Sequence, residues 1–98
     1  MEQPVDQSAG SAKNAVPTQV VAIRNMQFDP AELIVKRGSR VVWVNEDLFP
    51  HTATATAKRF DSGSIEAGAS WGYVASQPGD YAYLCALHPT MKGRLIVR

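Results

Sequence analysis

The residues of this chain best suited to chemistry crowd into one short stretch, Cys85-Ala86-Leu87-His88-Pro89-Thr90-Met91. It holds the only cysteine, one of two histidines and one of three methionines. Thiolate, imidazole and thioether at C-x-x-H-x-x-M spacing are the soft and borderline donors that suit copper. The other histidine, His51, lies far upstream, directly after Pro50. The four donors act together only if the fold returns His51 to the loop.

Taken singly, none of them is informative. A lone Cys85 behaves as a small buried hydrophobe, and Met91 as core filler. The joint pattern says more, because three donors fall within seven residues at a strand end, where Pro89 prevents a continuous helix. His51, Cys85, His88 and a weak Met91 match a trigonal His₂Cys site with a long axial thioether, the donor set of a mononuclear type 1 copper ion. The Cys85 thiolate supplies an electron-rich bond and the two neutral imidazoles hold the remaining trigonal positions. Met91 favours Cu(I) over Cu(II). A compromise between the geometries of the two oxidation states keeps reorganisation small, which fast one-electron exchange requires.

Other chemistries fit less well. A cysteine hydrolase needs a general base oriented by a third residue and an oxyanion arrangement, and no such set is identifiable around Cys85. Structural zinc takes more cysteines and does not recruit methionine. A copper chaperone or copper-storage module on the same scaffold is the main alternative, although such proteins favour Met/His-rich or two-cysteine sites.

The elements that must position these donors are short strands. Residues 1–18, rich in Gln, Ser, Ala and Pro, read as a flexible leader or an edge segment. From Gln19 the texture changes. Gln19–Asn25, Glu32–Lys36, Arg40–Asn45, His51–Thr56, Ser70–Ala75, Asp80–Cys85 and Lys92–Arg98 read as strands, with a turn at Asp29-Pro30 and an irregular segment over 58–69. Val41 and Trp43 share one face of their strand, and Tyr81, Tyr83 and Cys85 share one face of theirs. Seven to eight strands in 98 residues predict an all-β, Greek-key antiparallel β-sandwich occupying residues 19–98. Such a sandwich brings His51 and Cys85 to the same pole.

Composition sets outer bounds. A chain of 98 residues is one small domain, able to bury about 60–65% of its unfolded surface. Ten basic and nine acidic residues leave a formal charge of +1, which argues against a nucleic-acid or anionic-membrane footprint. No apolar run is long enough to span a bilayer. Met1-Glu2-Gln3-Pro4 lacks the features of a signal peptide, so the expectation is either a cytosolic protein or one whose signal was removed.

Val42-Trp43-Val44-Asn45, Pro50-His51, Gly79 through Cys85, and His88-Pro89-x-Met91-x-Gly93 together resemble a cupredoxin. Within that superfamily the short C-x-x-H-x-x-M loop is similar to that of the amicyanins. The resemblance covers roughly residues 19–98 and implies a Greek-key sandwich, one type 1 copper held by His51, Cys85, His88 and Met91, and electron shuttling. It further implies a monomer working in the periplasm or another exported space, with electrons leaving through His88. Redox partner proteins are expected to dock transiently at an apolar patch formed by Leu48, Phe49, Pro50, Leu87 and Pro89.

Three positions depart from the family pattern. Thr52 stands where many cupredoxins carry an asparagine that ties the two ligand loops, and its hydroxyl is expected to replace that bond in part. Leu87 stands where amicyanins carry proline, so its N–H is expected to donate to the Cys85 sulfur and raise the reduction potential. Ala75 occupies a position where an aromatic residue is common.

Overall fold

The computed structural model describes residues 17–98, and among them there are eight strands and no helix. They are β1 (Thr18–Arg24), β2 (Gln27–Asp29), β3 (Glu32–Val35), β4 (Ser39–Asn45), β5 (Thr54–Ala55), β6 (Ser70–Ala75), β7 (Gly79–Cys85) and β8 (His88–Val97). Residues 1–16, most of the expected leader, lie outside the described residues. Thr18 already belongs to β1, opposite Arg40.

Two four-stranded sheets form the expected sandwich, ordered β2-β1-β4-β6 and β3-β8-β7-β5. The sheets are mixed, however, because β1 pairs with β4 and β3 with β8 in parallel. The physical reason is the crossover. The chain leaves the first sheet after β2, builds β3 into the second, and returns as β4, a path no run of hairpins can make.

Alternation places the core where the residue pattern predicts it. Ser39, Val41, Trp43 and Asn45 of β4 are buried, as are Tyr81, Tyr83 and Cys85 of β7, and the two rows face each other. Trp43 and Tyr83 meet edge to face with centroids 5.5 Å apart. Phe60 comes from the irregular 58–69 segment, yet it packs on Trp43 at 5.6 Å and Tyr73 at 4.8 Å. Ala75 is itself buried, and Trp71 and Tyr73 of the same strand pack against the core.

Burial also raises the Tyr83 hydroxyl from its ordinary value to about 12. Between pH 10 and 12 the unfolded chain gives up a proton that the folded chain retains. Stability should therefore fall as pH rises through that window and be unaffected below it. Denaturant titrations of the native protein and Tyr83→Phe should diverge only there.

Three local departures from the expected elements bear on the site. First, β1 and β2 form a tight hairpin whose two loop residues, Asn25 and Met26, both take left-handed backbone (φ 54° and 59°). This geometry normally reads Asn-Gly, and a non-glycine residue there costs about 1–2 kcal/mol. The missing glycine is why residue patterns place the turn at Asp29-Pro30 instead. The strained turn is held from outside, since the Asp47 carboxylate accepts the N–H groups of Asn25 (2.7 Å) and Met26 (3.0 Å).

Second, the alternating His51–Thr56 run forms only the two-residue β5. His51 makes an isolated bridge to Ile65, Thr54 and Ala55 pair with Leu84 and Tyr83, and His51, Thr52, Ala53 and Ala55 are all buried. The segment is covered on both sides, so its sequence alternation has no solvent face to match. Third, β8 begins at His88, not at Lys92. Cys85 pairs with His88 across a two-residue turn, and Leu84 then pairs with Lys92. While β7 steps back one residue, β8 advances four, so Pro89, Thr90 and Met91 form a bulge. Proline is tolerated where no ladder bond is required of it, and Met91 is turned inward, only 5% exposed.

Candidate metal centre

The pole of the sandwich gathers His51, Cys85 and His88, with one ligand atom of each within 4.8 Å of the others. Cys85 ends β7 and is fully buried. His51 is fully buried at the close of the β4–β5 loop, and His88 opens β8 and reaches the surface. The Nδ1 atoms of His51 and His88 lie 3.6 and 3.9 Å from Cys85 Sγ. Met91 is buried three positions beyond His88 on the same bulged strand.

Asp47 determines how His51 presents itself. Its Oδ2 lies 2.9 Å from His51 Nε2. A carboxylate only accepts, so Nε2 carries the proton and Nδ1 turns its lone pair toward Cys85. The same carboxylate holds the Asn25-Met26 turn, which makes it a three-way clamp. Burial pushes the Asp47 pKa up, but the N–H of Met26, the His51 ring and the N–H of Asn25 outweigh it and hold the group below the usual carboxylate value. Asn45, also fully buried, supports this loop. Its Nδ2 donates to the carbonyls of Phe49 (2.8 Å) and Ile65 (2.9 Å), and its Oδ1 accepts the Asp47 N–H (2.9 Å).

Thr52 does tie the ligand segments together. The Ala86 N–H donates to Thr52 Oγ1 at 2.7 Å, and Thr52 Oγ1 lies 2.9 Å from Thr54 Oγ1. Thr54 donates its own proton to Asp61 Oδ1 at 3.1 Å, so the Thr52 hydroxyl must donate to Thr54. The result is a directed chain from the Cys85–His88 turn to Asp61, of the kind whose bonds reinforce one another. The expected bond from the Leu87 N–H to sulfur is replaced. Among the described residues the backbone N–H on Cys85 Sγ is that of Thr52, at 3.3 Å. Leu87 sits at the tip of the tight turn and is half exposed, so its expected influence on the potential has no contact behind it.

The donor set fits copper. One buried sulfur, a histidine nitrogen with its lone pair fixed toward it, a second histidine nitrogen and an inward thioether are the ligand types of a trigonal site with a weak axial bond. Residue patterns pointed to the three donors that the structure gathers but missed Asp47 and Asn45. The available signal was a carboxylate four positions before His51 in the same loop.

Comparison with known proteins defines the class. A sequence profile of the cupredoxin-like domain matches residues 5–97, and the chain belongs to that family. Among individual relatives, it is 30% identical over 82 residues to amicyanin-alpha of Methylorubrum extorquens, spanning 79% of this chain and 69% of the relative. It is 27% identical over 99 residues to amicyanin of Paracoccus denitrificans, spanning 96% of this chain and 76% of the relative. A reduced single-site variant of amicyanin superposes with a TM-score of 0.79 at 27% identity, covering 90% of this chain and 89% of the other. A copper-containing nitrite reductase from Thermus scotoductus superposes with a TM-score of 0.77 at 28% identity, but this chain covers only 22% of that larger protein.

Proposed function

We propose that this chain is a mononuclear type 1 copper protein that carries single electrons between redox partners, with His51, Cys85, His88 and Met91 as ligands. The observation that carries the reading is the convergence of three donor atoms within 4.8 Å, with the His51 lone pair fixed by Asp47. Copper in such a site supplies a one-electron Cu(II)/Cu(I) couple. The protein's own part is to hold the donors still. His51 is pinned by Asp47, Cys85 receives the Thr52 N–H, and the ligand turn is tied to Thr52. Such rigidity suits electron exchange better than metal hand-over, and it disfavours a chaperone or storage role. The chain is read as a carrier and not as an enzyme, acting as a monomer through its 19–98 domain. Its family resemblance supports work in the periplasm or an equivalent exported space.

His88 is the proposed electron exit, because His51 and Cys85 are fully buried while His88 is only partly so. Leu48, Phe49 and Leu87 are 88%, 59% and 52% exposed, and the site brings their two segments to one pole. With Pro50 and Pro89 they supply an apolar docking patch suited to brief encounters. Glu46, in the same loop as Leu48 and Phe49, is paired with Arg24. Phe49→Asp should slow electron self-exchange, measured by NMR line broadening, about tenfold through like-charge contact. Its visible spectrum should stay unchanged.

Voltammetry of the copper-loaded protein tests the carrier reading. A reversible one-electron wave supports it, whereas tight, colourless Cu(I) binding without cycling would favour the chaperone alternative.

A further inference from the structure

The first hairpin carries a methionine where its geometry favours glycine. Met26 has φ 59°, is 37% exposed, and donates its N–H to the carboxylate that also holds His51. It lines an open pocket of about 420 Å³ that Met91 also lines, so two of the chain's three methionines border one cavity. Phe28 adds an apolar surface, and among the described residues Lys92 is the one charged residue of the lining. With no carboxylate among the described residues of that lining, a hard divalent cation would find no anionic ligand there. Two thioethers instead favour a soft monovalent ion.

We infer that Met26 and Met91 form a transient capture site for Cu(I), through which the copper centre is loaded; the inference rests on that centre being the one proposed above. Cu(I) is cargo here, and its transfer is ligand exchange without change of oxidation state. Met91 keeps its bond, Met26 releases its sulfur as Cys85 forms a new one, and the thiol proton of Cys85 leaves to water. No oxidant or reductant is required. Asp47 fixes the backbone of the turn bearing Met26 relative to His51.

If Met26 served only to cover Phe28, leucine would replace it without consequence. The test is the rate at which apoprotein withdraws Cu(I) from a coloured chelate, compared with uptake of aqueous Cu(II), in the native protein, Met26→Leu and Met26→Gly. Both variants should load Cu(I) about tenfold more slowly, while Cu(II), which does not favour thioethers, loads within about twofold of native. Met26→Gly should do so despite a higher melting temperature, since glycine relieves the turn. Native Cu(I) rates in Met26→Leu, or equal slowing with both ions, would overturn the inference. A native apoprotein that takes up neither ion would overturn the copper centre itself.

Discussion

Gly93→Ala should destabilise this protein by about 3 kcal/mol, near the upper end for overpacking a filled core. Gly93 lies directly opposite Tyr83 in the β7–β8 ladder. A Cβ at that position would fall against the Tyr83 ring, 2.5 Å from its hydroxyl oxygen and 2.7 Å from Cε2. The far end of a flexible side chain could step aside, but this ring is 2% exposed and wedged against Phe28, Trp43 and Phe60. The cost is therefore steric. For a domain of this size it corresponds to a fall in melting temperature on the order of 15 °C. Calorimetry checks the magnitude, and a double-mutant cycle with Tyr83→Leu checks the cause, with an expected coupling of about 2 kcal/mol. Additive losses would mean that the ring is not the obstacle.

Asp47→Ala should weaken both the fold and copper binding, and Asp47→Asn, which keeps one acceptor oxygen, should do so less. Three donors converge on the carboxylate: the N–H groups of Asn25 and Met26, and His51 Nε2. Oδ2 takes both the Met26 N–H and the His51 Nε2 proton, and Oδ1 the Asn25 N–H, so an amide whose oxygen replaces Oδ2 keeps two of the three bonds and turns its NH₂ only toward Asn25. Asp47→Ala leaves the buried imidazole N–H unmatched, a loss of about 2 kcal/mol, and removes the group that fixes the His51 tautomer. Copper affinity should fall about 10- to 100-fold, read from chelator competition, while urea melts give the stability loss. The carboxylate also has a pH signature. Because its pKa is lowered by folding, it contributes stability above the ordinary carboxylate value, and that contribution is lost as pH falls through the folded value. The acid limb of the native stability curve should therefore flatten in Asp47→Ala.

What the residue pattern reveals, and what it hides, divides along physical lines. Alternation made the inward faces of β4 and β7 legible, because each has one buried and one exposed side. The four donors stood out because cysteine and histidine are so scarce here. The β1–β2 hairpin was hidden because Met26 occupies a left-handed position without the glycine that usually announces it. The start of β8 was hidden because Pro89 argues against a strand unless a bulge excuses it. The N–H on the Cys85 sulfur comes from Thr52, 33 positions away, and Asp47 looks like an ordinary rim charge until the fold turns it onto His51. Such contacts depend on the meeting of distant segments, which local spacing does not encode.

The ligand loop itself changes meaning once folded. Cys85 to Met91 reads as a loop after a strand, but it is a tight turn followed by a bulged strand. The turn sets Cys85 and His88 opposite each other, and the bulge turns Met91 inward. Short spacing between donors is thus the direct consequence of a two-residue hairpin, not of a flexible segment closing over a metal.

Titration of apoprotein with Cu(II), followed by visible absorbance, tests the central claim most directly. We expect an intense thiolate-to-copper charge-transfer band that grows to one equivalent, stops, disappears on addition of a one-electron reductant, and is absent in Cys85→Ser. A native protein that gains no such band, or a Cys85→Ser variant that keeps it, would contradict the assignment of a type 1 copper site to this pole of the sandwich.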